Sequence, residues 1–227
     1  MKYIVIGLGY FGGTLAANLT SEGHEVIGID NRSEKIDELK DTISIVMEMD
    51  ATNQNALKSL PLQDVDAVIV AIGEDIGSSV LALSILQNLK VERIIGRAIT
   101  PQHRHILKQL GIDEIVQPEE DSALLVSSML QIKYAKRVME LNSENAIAEI
   151  LVPERYIGHS LNSVNIKGRF NLNTITVKIF PEGKRIDRNT DSDCEIDYTI
   201  DFDRPLTETD ILVVTGKNMN IKKFTES

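Results

Sequence analysis

Apolar residues over the first 120 positions follow two alternating rhythms. Short unbroken runs such as Tyr3-Ile4-Val5-Ile6 and Ala67-Val68-Ile69-Val70-Ala71 have the length of buried strands. Between them, spaced positions such as Leu15, Ala16 and Leu19, or Val80, Leu81, Leu83, Ile85 and Leu86, mark helices with one buried face. The pattern predicts strands at residues 2–6, 25–29, 43–47, 66–71, 93–97 and 114–116. It predicts helices after the first strand and at residues 33–40, 53–59, 78–89 and 101–110. Ser33 reads as an N-cap, Pro101 lies in a first turn and Gly111 reads as a helix stop. Strand–helix alternation of this kind predicts an α/β chain with a doubly wound parallel sheet.

The rhythm changes beyond residue 120. Leu124, Leu125, Met129, Ile132, Ala135, Val138 and Met139 read as one long helix from Ser122 to Leu141, a connector or dimerisation element. Ala146 to Val152, Thr174 to Phe180 and Ile211 to Thr215 then read as strands. Ser160 to Val164 and Met219 to Phe224 read as short helices, and Glu182-Gly183 as a turn. The expected domains are residues 1–120, a connector at 121–141, and a small α+β domain at 142–227.

The densest chemical signal sits between the first two strands. Gly7-Leu8-Gly9-Tyr10-Phe11-Gly12 follows a strand at once and opens a helix, and Asp30 ends the next strand. This is G-x-G-x-x-G in the context a Rossmann-type nucleotide site requires. Gly7 permits the tight turn, Gly9 lets a phosphate approach the backbone, and Gly12 lets helix and strand pack closely. The helix N-terminus offers unbonded N–H groups and partial positive charge, and Asp30 suits ribose hydroxyls. A Gly-rich turn that only packs is the alternative.

Composition narrows the class. The net charge of -10 disfavours nucleic acid and anionic lipid as partners. No apolar run is long enough to insert in a bilayer. The first strand begins at residue 2 and Cys194 is the single cysteine, so the expectation is a cytoplasmic protein without a secretion signal or an intrachain disulfide.

Together these segments resemble the cytoplasmic regulatory subunits of bacterial Trk/Ktr potassium-uptake systems, built from RCK N-terminal and RCK C-terminal domains. The resemblance rests on Val5 to Gly13, Gly23-His24-Glu25-Val26, Ala71-Ile72-Gly73 and Leu110 to Glu119. Ile157 to Leu161 and Asp210 to Gly216 look like the opening and closing segments of the second domain. The resemblance implies a non-catalytic subunit: homodimers assembled into an octameric ring on a membrane-embedded potassium-translocating subunit. An adenine nucleotide (ATP, ADP or NAD(H)) would reshape that ring.

Candidate nucleotide-binding residues follow the strand ends. They are Gly7, Gly9, Tyr10, Phe11 and Gly12 after the first strand, and Asp30, Asn31 and Arg32 after the second. Asp50, Ala51 and Thr52 follow the third, Ile72, Gly73 and Glu74 the fourth, and Arg97 ends the fifth. Arg32 reads as a phosphate or adenine contact or as a solvated loop charge; Asp50 as a base contact or a helix cap. The resemblance implies that Arg97 neutralises phosphate and that Glu119 holds Mg²⁺ or Ca²⁺, although Glu119 also suits a helix N-terminus. Tyr10 stands where many Ktr-type members carry Arg, which weakens a preference for ATP. Asp30 repels a 2′-phosphate, so NADP is not expected.

In the second domain the resemblance allows cyclic di-AMP at Lys167 to Asn171, through Arg169 and Asn171; a plain dimerisation surface is the favoured reading. The acidic stretch Asp187 to Asp203, with Asp191, Asp193, Glu195 and Asp197 alternating, reads as a solvated edge hairpin. His103 and His105 read as surface residues. Two other functions stay open: a small NAD-dependent oxidoreductase, for which no Tyr-x-x-x-Lys or metal cluster stands out, and an RCK regulator of another cation channel or antiporter.

Overall fold

A computed structural model describes residues 1–180 and 194–226. The chain divides into two compact units, Met1–Glu120 and Asp121–Ser227.

The first unit is a six-stranded parallel sheet in the order β3-β2-β1-β4-β5-β6. Its strands are β1 (Lys2–Ile6), β2 (Glu25–Asp30), β3 (Ile45–Glu48), β4 (Ala67–Val70), β5 (Ile94–Arg97) and β6 (Glu114–Val116). Its helices are α1 (Tyr10–Ser21), α2 (Ser33–Leu39), α3 (Gln54–Lys58), α4 (Ile76–Asn88) and α5 (Pro101–Gln109). Successive side chains of a strand point to opposite faces. Ile4 and Ile6 of β1 therefore join Val68 and Val70 of β4 in the core under Leu57, Leu83, Leu86 and Leu107. Val5, Ala67, Ile69 and Ala71 join the core on the other face, with Leu8, Ala16, Leu15 and Ile36. Burial on both faces explains why these strands read as unbroken apolar runs.

The sequence reading differs from the structure in small ways here. Ser33 is the first residue of α2 rather than its cap, and no side chain caps that helix. α4 begins earlier than the apolar pattern suggested, because Asp75 accepts the Gly77 amide. His103 is fully buried in α5, with both ring nitrogens unpartnered, and burial pushes its pKa down. The surface reading failed because α5 turns His103 toward the core together with Leu107, its i+4 neighbour.

α6 (Pro118–Leu130) carries the chain from the first unit to the second. The predicted helix to Leu141 is corrected: it ends at Leu130, and Ala135–Glu140 is strand β7. Tyr134, at φ 64°, stands in the connection. Beyond it the buried positions alternate, Lys136 and Val138 inward, so the period is two rather than 3.6. The edge of β8 (Asn145–Leu151) offers β7 backbone partners that a continued helix would leave unpaired.

The second unit holds an antiparallel sheet in the order β10-β9-β11-β8-β7, with β9 (Asn173–Ile179), β10 (Glu195–Asp197) and β11 (Ile211–Lys217). Ala146, Ala148 and Ile150 of β8 point alternately into a core closed by α7 (Leu161–Val164), α8 (Ile166–Phe170) and α9 (Asn218–Glu226). Phe224 anchors it, stacked on Tyr156 at 5.2 Å and edge-on to Phe170 at 5.3 Å.

Candidate functional site

Every strand of the first unit ends on the same edge, and the strand order reverses between β1 and β4. A crevice at the carboxyl ends of strands, at such a reversal, is where open α/β sheets bind ligands. The glycine loop lies there. Gly7 has φ +93°, a backbone that L side chains rarely adopt, and a Cβ on it would meet the Ile72 amide at 2.9 Å. Gly9 is the N-cap of α1 and offers no side-chain cap, so the helix amides beyond it keep their hydrogen-bonding capacity. A Cβ on Gly9 would meet nothing within 4 Å. Open space, uncapped amides and the helix dipole fit a phosphate. Tyr10 is 94% exposed on the solvent side of the loop.

Asp30, at the end of β2, is buried beneath this loop. Its Oδ2 accepts the Leu8 amide at 2.7 Å, and its Oδ1 accepts the Arg32 amide and the Arg32 Nε at 3.0 Å. Burial by itself would raise the Asp30 pKa; the Arg32 guanidinium and the Leu8 and Arg32 amides outweigh it and hold the carboxyl below its ordinary value. The Asp30 carboxylate in turn raises the Arg32 pKa, and Glu74 adds to it. Sequence reasoning assigned Asp30 to ribose; it missed that the carboxylate also pins the glycine loop through Leu8. Asp30→Ala is expected to leave that amide buried without a partner. The loss is about 1–3 kcal/mol of stability, read as a lower urea midpoint.

Arg32 is not a free loop charge. It reaches from the end of β2 past β1 to Glu74 after β4, with Nη1 at 3.3 Å from both carboxylate oxygens. It thus crosses the β1–β4 strand reversal. Asn31 is exposed beside it.

Arg97 ends β5 and is 14% exposed. Its guanidinium lies 5.3 Å from the ring centroid of Phe11, in the first turn of α1. Nη1 donates to the Ala71 carbonyl at 3.3 Å, and Nη2 donates to Glu119 Oε1. Gly73 makes this placement possible, since a Cβ there would lie 2.7 Å from Nη1. The missing side chain at Gly73 leaves room for the Arg97 guanidinium. Burial tends to raise Glu119; its own backbone amide and Arg97 outweigh it and lower its pKa.

Asp50 closes a turn on the Thr52 amide (2.9 Å) and hydroxyl (2.7 Å), contacts that lower its pKa. It does not cap α3, because Asn53 does, accepting from Asn55 and Ala56. Ala51 is buried in the core. The structure thus brings the glycine loop, Asp30, Arg32, Ile72, Gly73, Glu74, Arg97 and Glu119 together at the carboxyl ends of the strands, through the Leu8–Asp30, Arg32–Glu74, Arg97–Phe11 and Arg97–Glu119 contacts, and places Asp50 to Thr52 after the edge strand β3. Among the described residues no group of three or more His, Cys, Asp or Glu side chains is placed to hold a metal.

In the second unit, Lys167 to Asn171 forms most of α8 and its C-cap. Arg169 lies over the Phe170 ring, and Asn171, at φ 54°, ends the helix. Of the acidic stretch, Asp191 and Asp193 lie outside the described residues, as does Glu182-Gly183. Asp197 accepts the amides of Thr199, Ile200 and Asp201, so it organises its own turn.

Residues 3–118 match the TrkA-N domain family. Ktr system potassium uptake protein C of Bacillus subtilis (strain 168) is 32% identical over 223 residues, 98% of this chain and 95% of that protein. The chain belongs to the Trk/Ktr potassium-uptake protein family. Ktr system potassium uptake protein A of the same organism is 28% identical over the same share of each chain. These Trk/Ktr relatives are named as transport components, not as enzymes. A solved GsuK RCK domain has the same fold, with a TM-score of 0.63 at 18% identity, over 100% of this chain and 47% of that one. The GsuK channel bound to NAD gives 0.63 at 17% identity, over 98% of this chain and 38% of that one. Among the described residues of this Trk/Ktr chain, no helix is long and apolar enough to cross a membrane.

Proposed function

We propose that this chain is the nucleotide-sensing cytoplasmic subunit of a potassium-uptake system, acting as a ring of homodimers on a membrane-embedded potassium-translocating subunit. The observation that carries the reading is the open glycine loop at the β1–β4 strand reversal, in a chain alignable over nearly its whole length with a Ktr potassium uptake protein. The ligand is an adenine nucleotide: ATP, ADP or NAD(H). Asp30 disfavours a 2′-phosphate by its negative charge, and Tyr10 brings no cation to a terminal phosphate. A ligand changes transport by binding one ring shape better than another, so the role needs no bond-breaking residue. Mg²⁺ or Ca²⁺ at Glu119 would need oxygen ligands from the nucleotide or a second copy, because one chain offers no acidic cluster among its described residues.

Light scattering of the full chain with and without ATP, ADP and NADH tests this. Eight copies of 25.2 kDa make a particle of about 200 kDa. A particle of that mass whose radius responds to nucleotide is expected. A monomer or dimer indifferent to all three nucleotides defeats the reading.

A further inference from the structure

Arg97 is a mostly buried cation whose charged partner is an exposed one. Its Nε is buried without a hydrogen-bond partner, and Nη1 makes one long bond to a neutral carbonyl. Its negative counterpart, Glu119, is 62% exposed and sits in the first turn of α6. The guanidinium lies against Phe11, beside the α1 N-terminus where a phosphate fits. One cation thus faces two claimants: a carboxylate tethered by its own backbone and the phosphate of an arriving nucleotide.

We propose that Glu119 is an internal competitor that occupies the phosphate seat of Arg97, and that a nucleotide phosphate displaces it and releases the first turn of α6. This rests on the nucleotide reading of the glycine loop and adds a means by which occupancy is felt by the helix leading out of the first unit. The exchange is favourable because a phosphate brings more negative charge and more acceptor oxygens to a guanidinium than a carboxylate does. Once displaced, Glu119 returns to water at little cost, since it is already largely exposed. The internal contact lowers nucleotide affinity by the strength of one partly exposed ion pair. That strength corresponds to a factor of roughly two to five.

The test is ADP and ATP binding to the full chain by calorimetry in EDTA, for wild type, Glu119→Gln, Arg97→Gln and the double variant. Glu119→Gln is expected to bind about two- to fivefold more tightly than wild type. In the Arg97→Gln background the same change is expected to have no effect. Adenosine, lacking phosphate, is expected to bind wild type and Glu119→Gln equally. Hydrogen exchange of the α6 amides is expected to speed up when ADP or ATP binds wild type. If Glu119→Gln binds ADP and ATP no better than wild type in EDTA, the competition is refuted while the nucleotide site stands. Tightening that persists without Arg97, or that extends to adenosine, also refutes it. Absence of any nucleotide binding by wild type would instead remove the site reading itself.

Discussion

Gly9→Asp is expected to fold normally and to lose nucleotide affinity by at least about a hundredfold. The fold survives because a side chain at Gly9 points into open space, and the backbone there, at φ -63°, suits any L-residue. An N-cap aspartate even helps α1, by roughly a few tenths of a kcal/mol over glycine, since it accepts amides that no side chain now caps. The gain for the helix is the loss for the ligand. The added carboxylate consumes the amides a phosphate would use and places negative charge in its seat. Isothermal titration with ATP, ADP and NADH, alongside a urea melt, separates the two effects. Retained affinity with a raised urea midpoint would move the ligand away from the glycine loop.

Gly12→Ala is expected to do the opposite and to destabilise the first unit by about 3 kcal/mol or more. Two effects oppose each other. Replacing a helical glycine by alanine ordinarily stabilises by about 1 kcal/mol. Here the new Cβ overlaps the Gly7 carbonyl oxygen and lies 2.9 Å from Ala71 Cβ. Both are anchored: Gly7 donates to the Ile29 carbonyl at 2.7 Å, and Ala71 donates to the Ile6 carbonyl at 2.7 Å. Neither can yield without breaking the sheet's continuation into the loop, so the clash outweighs the propensity gain. Against a typical domain stability of about 5–15 kcal/mol, the loss is a large fraction. The check is the urea midpoint of Gly12→Ala against Gly9→Ala, which meets no neighbour and is expected to lose no more than about 1 kcal/mol, the N-cap preference of glycine over alanine. Equal midpoints would show that α1 and β1 pack less tightly than described.

Much of the first unit was legible because its signals are local. A strand buried on both faces must be apolar throughout, so β1, β2 and β4 announced themselves. The glycine spacing was legible for a steric reason: Gly7 and Gly12 occupy places where a Cβ would strike Ile72, Gly7 or Ala71. The stretch from Ser122 to Leu141 was misread because Ile132, Ala135, Val138 and Met139 satisfy a helical spacing as well as a strand one. Pairing with β8, itself further along the chain, decided between them. His103 was misread because polarity says little about which way a single helix position faces once the helix is docked.

The sequence by itself determined the class of fold, the glycine loop, and the carboxyl edge of the sheet on which that loop opens. These follow from periodicity and steric bulk, properties that each segment carries alone. Only the tertiary structure decided what the charged residues do. Asp30 holds the Leu8 amide, Arg32 reaches Glu74, and Arg97 lies between Phe11 and Glu119 over Gly73. Each partnership joins the ends of different strands or helices, and sequence distance does not determine which ends meet. The order of strands in the sheet sets that, and so sets which carboxylate neutralises which guanidinium.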